Sequence, residues 1–159
     1  MHTDQNPEGP SLNRMAIMAT SHCLLGCGIG EVLGMVIGTA LGWGNKSTIL
    51  LAVALAFGFG YLLTLIPLLR GGIALRSALA LAFASDTASI AIMEIVDNAV
   101  MLVIPGAMEA GLGAPLFWAS LAGSLVLAGI AAFPVNRYLI ARGRGHAVVH
   151  RHHHHYHHS

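Results

Sequence analysis

Four long apolar stretches decide what this chain can fold into: Met15 to Trp43, Thr48 to Leu69, Ser77 to Pro105 and Ala114 to Ile140. Each exceeds the about 20 residues that a helix needs to cross the hydrocarbon core. Turn-forming residues separate them: Gly42, Gly44 and Asn45, then Pro67, Gly71 and Gly72, then Gly111, Gly113 and Pro115. The expected fold is all-α, a polytopic membrane protein built as a bundle of four transmembrane helices. A polar arm (1–14), a membrane domain (15–140) and a basic, His-rich tail (141–159) make up the chain.

Composition excludes the other classes. Only 9% of the 159 residues are charged, against about one-quarter in soluble domains. The 55% hydrophobic content rules out disorder, and two cysteines rule out a disulfide scaffold. A net charge of +1 gives no nucleic-acid footprint. The polar arm has no basic region ahead of a short apolar core, so no cleaved signal peptide is expected.

Basic residues set the expected orientation. Arg14, Arg70, Arg76, Arg137, Arg142, Arg144 and Arg151 fall on one side, and Lys46 alone on the other, beside Glu109. The positive-inside rule places both termini in the cytoplasm. Trp43, Trp118 and Tyr138 sit near span ends, where interfacial anchors belong.

Four of the seven acids lie inside spans: Glu31 in the first, and Asp86, Glu94 and Asp97 in the third. An ionised side chain at a helix centre costs about 2.5–3.5 kcal/mol on insertion scales. No Lys or Arg lies deep in any span to offset it, which leaves protons, water or a metal. In the first span His22, Cys23, Cys27 and Glu31 read H-C-x3-C-x3-E, and Met35 continues the spacing. Residues four apart share a helix face, so Cys23, Cys27 and Glu31 form one stripe. A second stripe of Gly26, Gly30, Gly34, Gly38 and Gly42 suits close helix packing, within the chain or in a homodimer.

Placing Glu31 beside Glu94 puts Cys23 on Asp86, Cys27 on Ile90 and Gly34 on Asp97. This offset hints at a repeat of two helices that brings the first and third spans together at the centre. Rise per residue gives depths of about 18 Å for Cys27, 14 Å for Asp86, 24 Å for Glu31 and 26 Å for Glu94. An inner layer of His22, Cys23, Cys27 and Asp86 and an outer one of Glu31, Glu94 and Asp97 result. Thr87, Ser89, Met93, Asn98 and Met101 line the way between them. Near the end of the fourth span, Pro134, Asn136 and Arg137 predict a helix break. Eight of the ten histidines fall between Gly145 and Ser159, a native metal-collecting tract or a tag.

The strings SHCLLGCGIGEVLGMVIG, SDTASIAIMEIVDNAVMLVIPGAM and FPVNRYLIARGRGHAVVH resemble a bacterial membrane family, domain of unknown function four-three-nine-six. The resemblance runs from Ser21 to His150. It implies a small multi-span protein of the bacterial inner membrane, in a family sometimes encoded beside copper-handling genes, and implies no reaction. With no P-loop, nucleophile elbow or haem motif, the chain reads as a non-enzyme. Two functions follow from the residues. One is binding or transport of a metal cation, copper or zinc, by the thiols, the carboxylates and His22. The other is proton-coupled passage through the carboxylates without a metal.

Overall fold

The computed structural model describes residues 11–143. Asp4, Glu8, Arg144, Arg151 and the His-rich tail lie outside the described residues. Four helices follow in order: α1 (Leu12–Ala40), α2 (Asn45–Arg70), α3 (Leu75–Val103) and α4 (Pro115–Ala141). α1 begins earlier than its apolar run because the Ser11 hydroxyl caps it, accepting from the Arg14 backbone N–H. It also ends earlier, at Ala40. The Gly42 N–H bonds Thr39 O and the Trp43 N–H bonds Gly38 O, with Gly42 at φ +66°. That reversal is the glycine-ended Schellman motif, so Gly42 belongs to the turn and not to the helical glycine stripe. Gly72, at φ +83°, closes α2 in the same way through Gly72 N–H to Leu69 O and Ile73 N–H to Leu68 O. α3 stops at Val103 because Ile104 precedes Pro105 and takes an extended conformation.

Short turns make α1, α2 and α3 antiparallel neighbours, and α4 returns to pack on both α3 and α1. α1 and α3 therefore run parallel and face each other across the diagonal. The closest seam joins α1 to α2. A Cβ added to Gly26 would come within 2.7 Å of the Gly60 backbone, and one added to Gly34 within 2.6 Å of Ala52. Gly30 meets the Ala56 backbone, and Gly38 the Thr48 side chain. α2 answers with its own stripe of small residues four apart: Thr48, Ala52, Ala56, Gly60 and Thr64. The glycine face of α1 is thus filled within the chain and is closed to a second copy.

The bundle is inverted relative to a soluble protein. Leu50 (70% exposed), Ile95 (69%), Val103 (79%) and Ile130 (66%) face outwards, while Asp86, Ser89, Glu94, Asp97, Ser124 and Asn136 are buried. An apolar exterior of this size around a polar interior suits lipid and not water. All four helices are long and apolar enough to span a bilayer. The chain is a multi-pass membrane protein.

At the end carrying Ser11 and Gly143, Asn136 Nδ2 donates to Thr20 Oγ1 at 2.9 Å, and Arg137 Nε donates to Asn13 Oδ1 at 2.8 Å. The helix break expected at Pro134 is absent: α4 continues through it to Ala141. A proline inside a membrane helix is tolerated where neighbouring groups satisfy the freed backbone, and the two bonds to α1 hold this turn in place. Arg137, grouped with that break, is tied to Asn13.

Candidate functional site

Polar and sulfur-bearing side chains of α1 and α3 form a file along the bundle axis. Four-residue spacing on α1 sets its steps at about 6 Å. Nearest the Asn136–Thr20 bond, buried Cys23 lies against Asp86 and Ser89. The Ser85 hydroxyl donates to Asp86 Oδ1 at 2.8 Å. One step further, Cys27 Sγ is 4.0 Å from Met93 Sδ and stands beside the Glu94 carboxyl. Asn98 Nδ2 reaches Glu94 Oε2 at 3.4 Å, while Glu94 Oε1 is buried with no hydrogen-bond partner.

The third step is the most acidic. Glu31, 7% exposed, is flanked by Asp97 and Glu94. Neither of its carboxylate oxygens has a hydrogen-bond partner of normal geometry. Asp97 Oδ1 accepts from the Ser124 hydroxyl of α4. Glu31, Glu94, Asp97 and Asn98 line a cavity of ≈ 40 Å³, completed by Met35, Met101 and residues from the starts of α2 and α4. A water needs roughly 10–15 Å³ of such space, so the cavity has room for roughly two or three waters or a partly hydrated ion. It lies towards the end of the bundle that carries Lys46 and Glu109, away from Ser11 and Gly143.

The expected register between α1 and α3 holds at Cys23, which meets Asp86, but slips further along: Asp97, expected opposite Gly34, adjoins Glu31 together with Glu94. Three more placements differ. Cys27 belongs one layer further along, with Met93 and Glu94. His22 is exposed on the outside, its Nε2 3.1 Å from Leu63 O of α2. One residue before Cys23, it is turned about 100° around the helix and cannot join the file. Thr87 is likewise outside, with its hydroxyl donating to Phe83 O and sharing a 2.7 Å bond with the Tyr61 hydroxyl. Ser89, Met93 and Met101 are buried, and Asn98 half-buried, along the file. Among the described residues no three His, Cys, Asp or Glu side chains converge as a ready-made metal cluster. The donors stand in line.

Sequence reasoning missed Ser124 and Met108. Ser120, Ser124, Ala128, Ala132 and Asn136 form a buried stripe of small and polar residues four apart on α4. That spacing is visible in the sequence, but serine is unremarkable in membrane helices. Met108 follows α3, where no helical period points to its neighbours.

No curated protein and no solved structure is similar enough to inform the function. The sequence pattern of one family, domain of unknown function (DUF4396), matches residues 12–145. That range holds all four helices and every residue of the file, and the chain belongs to this family.

Proposed function

We propose that this protein binds a metal cation of the copper or zinc type inside the bilayer and passes it along the file from Glu31, Glu94 and Asp97 to Cys27 and Cys23. In this reading it resides in the bacterial inner membrane with both termini in the cytoplasm, and the acidic cavity faces outwards. One observation carries the proposal: Glu31 is buried, neither of its carboxylate oxygens has a hydrogen-bond partner of normal geometry, and two further acids, Asp97 the nearer in effect, adjoin it. No Lys or Arg occurs between Met15 and Gly42 or between Ser77 and Val103. A bound cation supplies the missing counter-charge and ligation at once. Elemental analysis of detergent-purified protein and metal uptake into liposomes test it, each against Glu31→Gln plus Glu94→Gln.

The linear order of the donors favours a second reading, in which the carboxylates relay protons. That version predicts acidification of liposomes under an imposed potential, lost in the same double variant, with no bound metal. The two assays separate the readings.

A further inference from the structure

Thioethers surround the acidic cavity as well as carboxylates. Met35 of α1, Met101 of α3 and Met108 of the α3–α4 connection all line it. Three separate segments thus bring methionines to the place where Glu31 has no hydrogen-bond donor of normal geometry and stands beside Asp97 and Glu94. Below it, Cys27 and Met93 bring two more sulfurs 4.0 Å apart, and Cys23 follows one turn further.

Building on the cation-binding reading above, we propose that the cargo is monovalent copper, Cu(I). Met35, Met101 and Met108 capture it at the cavity, beside Glu31. Soft thioether and thiolate ligands select Cu(I), whereas hard divalent ions prefer oxygen. Zinc sites are built from thiolate, imidazole and carboxylate, not thioether. Hard ions such as calcium or magnesium take oxygen ligands throughout, so the three thioethers lining this cavity would be of no use to them. Cu(I) is satisfied by a small number of sulfurs, so it fits a narrow line of donors that never closes into a cluster. Glu31, Glu94 and Asp97 then compensate charge, and sulfur at each step offers the next ligand. The same three methionines also pack against Phe117 and Leu121. Packing alone would explain them if copper ignored them.

The test uses full-length protein in detergent under anaerobic, reducing conditions. Cu(I) is titrated against a chromophoric chelator and Zn(II) against a zinc dye. Three forms are compared: wild type, Met35→Leu/Met101→Leu/Met108→Leu, and Glu31→Gln/Glu94→Gln. Leucine keeps methionine's volume and apolarity, and the His-rich tail is common to all three, so differences report the bundle. The methionine variant should bind Cu(I) about tenfold or more weakly and show weaker sulfur scattering in copper X-ray absorption, with Zn(II) binding unchanged. If it proves unfolded by thermal melting, the single Met35→Leu variant must show the same direction of change. Wild-type Cu(I) affinity and an unchanged sulfur signature in a folded methionine variant overturn the proposal. Should the Gln variant then still lose metal, the broader cation reading survives. Wild-type behaviour of every variant towards both metals sinks both.

Discussion

Glu31 and Asp97 approach each other from opposite corners of the bundle, one on α1 and one on α3, with Glu94 beside them. Asp97 is held by Ser124; Glu31 has no hydrogen-bond partner of normal geometry. Replacing Glu31 and Glu94 together by Gln removes the charge and keeps shape and hydrogen bonding. The variant should unfold in detergent at the wild-type temperature or above, yet lose metal binding or coupled flux. Lost stability with retained activity would reduce the acids to scaffold.

The thiols give a second test. Cys23→Ser plus Cys27→Ser should lower bound metal while membrane insertion stays normal. Both cysteines are free and buried, so a maleimide should label them in wild type only after unfolding. Fast labelling of the native protein would contradict this packing, and unchanged metal stoichiometry would make them fillers.

Gly30 and Gly58 form a matched pair for the helix seam. A methyl at Gly30 would run into the backbone of Ala56, whereas one at Gly58 meets nothing within 4 Å. Gly30→Ala should destabilise by about 1–3 kcal/mol, as overpacking does, and Gly58→Ala should be near neutral. Equal unfolding midpoints for the two variants would refute the close α1–α2 contact.

Asn136 and Thr20 predict a local stability term. Truncating Asn136 to Ala leaves Thr20 without its donor at a buried site, a loss of about 1–2 kcal/mol. Leucine and valine at positions 136 and 20 together should recover much of it. A double variant as unstable as the single one would show that the bond contributes little.

Orientation is checked with reporters. A fusion at either end should report the cytoplasm, since Arg14, Arg70, Arg76, Arg137 and Arg142 cluster at the end where the described chain starts and stops. A periplasmic reading at both ends would reverse the direction assigned to the file.

The four spans were legible because membrane helices must be long and apolar whatever else they do. That α1 meets α3 was legible too, since both carry polar residues eight apart on parallel helices, but the equal spacing fixed only the Cys23–Asp86 step and set Cys27 and Asp97 one layer off. His22 and Thr87 were misplaced for one reason: adjacency in sequence to Cys23 or Asp86 means a different face on a helix. The Pro134 break failed because local propensity yields to neighbours inside a bundle. Ser124 and Met108 needed the third dimension, since their partners lie on other segments.

The chain folds as two helical hairpins, α1–α2 and α3–α4, of which α1–α2 is the more tightly packed. Glu31 belongs to the first, and Glu94 and Asp97 to the second. The acidic step is therefore also a joint. Under the proposed function, ionised and empty acids there push the hairpins apart, and a bound cation or proton draws them together. Cargo and mortar would then be one substance, and the protein's resistance to unfolding a gauge of its occupancy.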